Sequence, residues 1–409
     1  MLKAILIGAG DRGYIYAKEL LKHPHKVKLV AVAEPNELRA DKIKVLCPDV
    51  LHYENWVTLL LDNVDADIAL ICTQDKEHFQ PVIQALQRYH VLLEKPMSPN
   101  AAECLEMVEQ AKKNNKVLSV CHVLRYTPFW TNIKQLIDQD KIGDIISIQL
   151  NENVEIMHMS HSFVRGNWNN DKTSSPMILA KSCHDMDIIN YILQSEVERI
   201  SSFGNLMYFN ENYKPEGAPI RCLEGCPYEQ TCIFHAGNYY LGKGRGWARK
   251  FTDVDTDEAI IEKLNTTDYG KCVFQSDNNV VDHQVVNMQC ENGATVTFSM
   301  CGFTREQTRI VQIMGTKGEI RGNMDENKIS TYTYLNEQEE VILLPEAYGH
   351  GGGDSGIIRD FLHTIDSNTE SKSSAEKSMK SHMMAFAAEA SRKRGGEPIV
   401  LSNFISNLA

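Results

Sequence analysis

No run of eighteen apolar residues occurs in the 409-residue chain, so no membrane-spanning helix is expected. Positive charge is scarce. Lys and Arg number 42 against 54 Asp and Glu, a net of −12, which argues against a nucleic-acid partner or an anionic membrane surface. Cysteine pairing is also lacking: eleven cysteines are scattered, and an odd number cannot all pair. No disulfide framework is expected, and a reducing cytoplasm is. The chain starts inside its first strand candidate, so no signal peptide is expected either. Internal repeats and low-complexity tracts are absent. What is present is an ordinary globular composition, 43% hydrophobic and 23% charged, long enough for two or three domains.

The chain opens on an apolar run, Met1 to Ile7, that breaks into Gly8-Ala9-Gly10-Asp11-Arg12-Gly13 and continues as a helix-like pattern to Leu21. Strand, G-x-G-x-x-G and helix in that order form a dinucleotide-binding unit. Gly8 allows the tight turn, Gly10 the close approach of a pyrophosphate, and Gly13 the packing of helix on strand. The helix N-terminus then faces the anion. A second strand, Val27 to Ala33, ends at Glu34, about 20 residues past the glycines, where an acid accepts ribose hydroxyls. Glu34 repels a 2′-phosphate, so NAD is expected over NADP; Arg39, five residues on, is the counter-signal.

Strand and helix patterns alternate to about residue 125: strands near Asp67–Thr73, His90–Glu94 and Val117–Cys121, helices from Pro81 and from Ser98. The expected architecture is an α/β Rossmann domain, a doubly wound parallel sheet, over residues 1–126. From 127 to 372 the style changes to long strands: Asp144–Val154, Val197–Leu206, Val281–Gln289, Thr295–Cys301, Thr308–Met314 and Lys328–Tyr334, with Asn292-Gly293 as a hairpin turn. This predicts an α+β domain with a large, mainly antiparallel open sheet and an irregular insertion near 207–280. Residues 373–409 predict a C-terminal helix and tail, opened by a Ser373-Ser374-Ala375-Glu376 capping box and closed at Gly395-Gly396.

Glu94-Lys95-Pro96 falls at the carboxyl end of a parallel strand, where open α/β sheets bind ligands. Lys95 there can hydrogen-bond a substrate hydroxyl and favour its developing charge, or be a solvated loop lysine. The glycine loop, Glu34 and Glu94-Lys95-Pro96 followed by a β-rich domain resemble the Gfo/Idh/MocA oxidoreductases. Gly166-Asn167-Trp168, Lys181-Ser182-Cys183-His184-Asp185 and Met314 to Ile320 resemble later motifs of that family, so the likeness spans nearly the whole chain. It implies NAD(H) or NADP(H) and hydride chemistry on a sugar or cyclitol. It also puts cofactor contacts at Thr73, Gln74 and His78, beside Glu94 and Lys95, and an acid–base role at His184, whose alternative is a satisfied helix histidine. Many family members carry an aspartate four residues before that histidine. Here Ala180 stands there, with Lys181 beside it, while Asp187 matches a later family aspartate. Arg125-Tyr126 is expected at the cleft, near nicotinamide or substrate, or as a packing pair. His350-Gly351-Gly352-Gly353-Asp354 reads as a cleft loop whose polar ends reach substrate, or as a flexible turn.

Cys222, Cys226 and Cys232 sit in the insertion at x3 and x5 spacing, with His235 or Cys183 as a fourth ligand for a structural zinc, or as free thiols. The reading is a cytoplasmic enzyme that moves hydride between nicotinamide and a secondary alcohol of a sugar, cyclitol or glycoside. Lys95 and His184 are the catalytic pair, and Lys95, Arg125, Tyr126, Lys181, His184, His350 and Asp354 are the substrate contacts. A redox-neutral NAD-dependent glycosidase and a non-catalytic nucleotide-sensing regulator are the alternatives. An open sheet needs covering, so a homodimer or homotetramer is expected.

Overall fold

A computed structural model describes residues 1–346 and 350–408. Its first part is a six-stranded parallel sheet of β1 (Leu2–Ile7), β2 (Val27–Ala33), β3 (Leu51–Tyr53), β4 (Ile68–Ile71), β5 (His90–Leu93) and β6 (Leu118–Val120), ordered β3-β2-β1-β4-β5-β6. In β4 every residue is buried, as are the last four of β1. Helices cover both faces of such a sheet and leave no wet side, so its strands read as unbroken apolar runs. Strand order reverses between β1 and β4, which opens a crevice at their carboxyl ends.

The second part is a nine-stranded sheet of β7 (Ile145–Glu155), β8 (Val197–Asn205), β9 (His283–Cys290), β10 (Thr295–Thr304), β11 (Thr308–Gly315), β12 (Gly318–Asn323), β13 (Lys328–Thr333), β14 (Gln338–Leu343) and β15 (Ile399–Val400). The order is β14-β13-β12-β11-β7-β10-β9-β8-β15, antiparallel except for the parallel pair β7–β10. One face is wet, so residues alternate: Ile148, Leu150 and Val154 of β7 turn inward, Gln149 and Asn151 outward. The Asn292-Gly293 turn joins β9 to β10, with Gly293 at φ +88°. Edge strand β14 exposes Gln338, Glu339 and Glu340, charges that discourage further pairing.

Two segments depart from the expected layout. The helix Gly353–Ser367 packs Ile357, Ile358, Phe361 and Leu362 against Ala4, Leu6, Tyr16 and Leu20, so it completes the core of the first sheet. The insertion is less irregular than its composition implies. It holds the helices Ala236–Tyr240, Arg245–Ala248 and Asp257–Thr266. Phe251 and Tyr269 stack at 4.4 Å with Tyr240 edge-on to Phe251, and Trp247 lies 4.7 Å from His161. These rings supply the apolar area that short helices lack. The last helix is Ala375–Lys393, and the chain leaves it through Gly395 and Gly396, both at positive φ. Ser374 precedes this helix without capping it; its hydroxyl turns to Glu370 and Glu376 pairs with Lys112.

Candidate active site

The glycine loop behaves as its spacing implies. Gly8 has φ +86°, and a Cβ there would stand 2.7 Å from the Cys72 carbonyl. A Cβ on Gly13 would stand 2.0 Å from the Gly8 carbonyl. Both glycines are therefore fixed by internal packing. Gly10 differs: its Cβ would meet only Arg39 Nη1, at 3.9 Å. That open space lies at the N-terminus of the helix Asp11–Leu21, which has no side-chain cap. Uncapped amides beside a space that only glycine leaves free suit a dinucleotide pyrophosphate. Glu34 accepts bonds from Ala9 N at 2.6 Å and Asn36 N at 2.9 Å, tying the loop to the end of β2. Thr73 and Gln74 follow β4 across the crevice, in reach of solvent.

Four further expected cofactor contacts, Asp11, Arg12, His78 and Glu94, have protein partners. Arg12 bonds Glu94 at 2.7 Å and Asp354 at 2.6 Å, and its guanidinium lies over Tyr16. Glu94 also accepts from Tyr16 Oη and Lys95 N. Burial would raise its carboxyl, but Arg12 and Lys95 hold it below the ordinary glutamate range. Asp11 pairs with Lys250 of the insertion. His78 is fully buried between the Pro96 carbonyl, 2.7 Å away, and the Thr73 carbonyl at 3.1 Å. Arg12, Glu94 and His78 thus brace the crevice from beneath.

Lys95 and His184 converge through the segment that precedes the helix Cys183–Ile192. Lys95 Nζ donates to the Ala180 carbonyl at 2.8 Å. A backbone oxygen therefore receives the lysine at the position where an aspartate was expected. His184 stands in the first turn of that helix, 9% exposed, with its ring 5.9 Å from His122. Lys181 turns instead to Glu152 of β7, at 3.3 Å. Burial lowers its ammonium pKa despite that carboxylate. Arg309 holds Asp185 at 2.7 Å, so Glu152, Lys181, Asp185 and Arg309 make one buried charge network behind the site.

Four site residues carry no marked signal in the sequence. His122 follows β6 at its carboxyl end, fully buried, with neither ring nitrogen hydrogen-bonded among the described residues. Burial, then Arg125 and Lys95, keep it neutral. The position after a parallel strand was the one available clue. His158 shares the field of Lys181 and Lys95; burial and Lys181 push its pKa down to about 3. Its Nδ1 faces Gln307 Oε1 at 2.7 Å. Asp75 accepts Trp168 Nε1 at 3.2 Å and Ser174 Oγ at 3.3 Å, which docks the Gly166-Asn167-Trp168 motif on the first domain. Arg309 lies at the start of β11, where only tertiary pairing reveals its role.

Several expected substrate contacts have protein partners. Arg125 forks onto Asp187 at 2.6 and 2.7 Å and donates to the Lys372 carbonyl. It anchors the His184 helix. Tyr126 Oη bonds Asp360 at 2.8 Å and Ser373 at 2.9 Å, pointing at the helix Gly353–Ser367. Asp354 opens that helix and serves Arg12, so the stretch is a helix start and not a cleft loop. The side chain of His350 lies outside the described residues.

The cysteine expectation also changes. Cys222, Cys226 and Cys232 line one cavity of about 20 Å³, joined by Cys272, which the spacing did not flag. Both nitrogens of His235 are engaged, by the Cys222 carbonyl at 2.9 Å and Asn238 N at 3.3 Å. Cys183 lies instead in the Lys95 field, where burial lifts its thiol to about 12. Among the described residues no group of three or more His, Cys, Asp or Glu stands in metal-holding geometry. The zinc expectation therefore finds no support.

Comparison with known proteins agrees with this geometry. Residues 2–122 match the oxidoreductase family, NAD-binding Rossmann fold, and residues 134–401 match the oxidoreductase family, C-terminal alpha/beta domain. YteT of Bacillus subtilis (strain 168), a protein named as an oxidoreductase, is 23% identical over 88% of this chain and 89% of its own length. The myo-inositol 2-dehydrogenase of Thermotoga maritima is 27% identical, over 50% of this chain and 59% of that one. Levoglucosan dehydrogenase, solved with NADH and levoglucosan, shares the fold at TM-score 0.74 and 15% identity, covering 98% of this chain and 99% of that chain. An Agrobacterium radiobacter oxidoreductase solved with NAD+, L-tartaric acid and magnesium does so at 0.72 and 15%, with 98% and 99% covered. The two matched regions span nearly the whole chain, which belongs to the Gfo/Idh/MocA family of NAD-binding oxidoreductases.

Proposed function

We propose that this enzyme oxidises a secondary alcohol of a sugar, cyclitol or glycoside, reversibly, with NAD as hydride acceptor. The observation that carries the reading is the meeting of Lys95, from the end of β5, with the Ala180–His184 segment, at the carboxyl edge of the first sheet. NAD supplies the hydride-accepting carbon when bound. The glycine loop and the first turn of the helix Asp11–Leu21 would hold its pyrophosphate, Glu34 its ribose, and Thr73 with Gln74 the opposite wall.

The chain's own residues do the rest. Lys95 donates a hydrogen bond to the reacting hydroxyl and favours the oxyanion that forms as its proton departs. Its hold on the Ala180 carbonyl fixes where that ammonium stands. His184 accepts the proton. Lys181 stays on Glu152 and adds positive potential without touching the reacting atoms. The wet face of the second sheet, bearing Ile146, Gln149, Asn287, Thr297 and Ile310, is proposed as a homodimer or homotetramer contact, read by sedimentation velocity.

The test is incubation of the protein and NAD with inositols, aldoses, anhydrosugars and aryl glycosides. NADH accumulation supports the proposal. Aglycone release with no net NADH establishes a transient-oxidation glycosidase instead. Tight NAD binding with neither outcome leaves a nucleotide sensor.

A further inference from the structure

The insertion reaches across the second domain and touches the dinucleotide-binding domain at two charged points. Lys250 pairs with Asp11, in the first turn after the glycine loop. Three residues on, Asp253 takes two cations at once: Lys42 Nζ at 2.7 Å and Arg39 Nε at 3.3 Å. The Asp253 side chain is only 16% exposed, whereas an unconstrained loop aspartate is solvated.

Arg39 and Lys42 are three apart on the helix Glu37–Leu46, and so lie on one face of it. That helix starts just after Glu34, and Arg39 Nη1 is the atom nearest the open space over Gly10. On the proposed mode of NAD binding, the pyrophosphate lies over Gly10 and the adenosine ribose next to it, on the side of Glu34 and Arg39. A cation placed there accommodates a 2′-phosphate, whereas an acid at the strand end selects the free hydroxyl. The first domain alone thus sends two messages, one from Glu34 and the opposite from Arg39 with Lys42. The insertion settles the conflict from outside.

We propose that Asp253 is a coenzyme-specificity residue. Carried onto the dinucleotide-binding domain by the insertion, it occupies Arg39 and Lys42, denies them to a 2′-phosphate and thereby favours NAD. The inference rests on the NAD-binding reading of the crevice and adds to it a determinant that lies about 240 residues away from the glycine loop.

The test is titration of NAD and NADP by tryptophan quenching or calorimetry, on the native protein, Asp253→Asn, and Asp253→Asn combined with Arg39→Ala and Lys42→Ala. Removing the competing carboxylate should lower the ratio Kd(NADP)/Kd(NAD) by about tenfold, the scale of a charge-assisted contact to phosphate. The triple variant should restore the native ratio. Asp253→Ser removes the same charge and repeats the measurement should the amide variant misfold. An unchanged ratio in folded Asp253→Asn, or an equal loss of both coenzymes, overturns the specificity role while leaving NAD binding intact. Failure of the native protein to bind either coenzyme overturns the reading beneath it.

Discussion

The glycine loop separates residues that build the site from residues that leave room for a ligand. Gly13→Ala would press a methyl into the Gly8 carbonyl, and a clash with backbone cannot relax cheaply. It should cost about 2 kcal/mol or more, within the range of overpacked cores, seen as a lower urea midpoint. Gly10→Val meets nothing close. It should melt near the native temperature yet lose NAD binding, because the side chain fills the pyrophosphate space. Lys95→Ala and His184→Ala should each keep NAD affinity and lose about 10²-fold or more in turnover, the usual scale of acid–base and charge-stabilising groups. Near-native turnover in either variant removes that residue from the mechanism. The glycines, Glu34, Lys95 and His184 were legible because each is bound to a local pattern, a strand end or a helix start. The destinations of Arg125, Tyr126 and Asp354 were not. Their partners Asp187, Asp360 and Arg12 stand 62, 234 and 342 positions away, and no local spacing encodes such pairings.

At the scale of elements, the Arg125–Asp187 fork joins the end of the first sheet to the helix that carries His184. Both groups are nearly inaccessible to water. Asp187→Ala leaves a buried guanidinium without its partner, which costs about 3–5 kcal/mol; the urea midpoint should fall accordingly. If stability holds, the fork is not what fixes the helix. The long strands of the second sheet were legible from their alternation, but β12, β14 and β15 were not. β12 begins inside the Met314–Ile320 motif, β14 is an exposed edge rich in Glu, and β15 has two residues. The helix Gly353–Ser367 was missed because its start, three glycines, carries the signature of a turn.

At the scale of the molecule, several histidines among the described residues are stored neutral. Burial depresses His158, His161 and His382 to about 3 and His122 well below its ordinary value. In this window the unfolded chain binds more protons than the folded one, so stability rises with pH and is lost as pH falls through 6.5 toward 3. Each fully shifted histidine contributes up to about 1.4 kcal/mol per pH unit below 6.5. Asp185 and Asp187, raised by burial, pull the other way but are outnumbered. The Tm should drop between pH 7 and pH 5. His382→Gln, which can still accept from Met97 N and donate to the Ser378 carbonyl, should flatten that slope. A Tm indifferent to pH across this range would contradict the account.

The placement of Phe361 and Leu362 under β1 has a consequence for synthesis. The glycine loop is made well before Phe361 and Leu362, yet part of the apolar side of its helix is covered only once the nascent chain has grown past residue 362. A released fragment of residues 1–126 should expose Tyr16 and Leu20, bind dyes that seek apolar surface and fail to hold NAD. Translation stalled beyond residue 400 should yield the first protease-resistant form of that same half. The dinucleotide-binding half is thus closed by a helix made long after its own strands, and coenzyme retention should follow that closure.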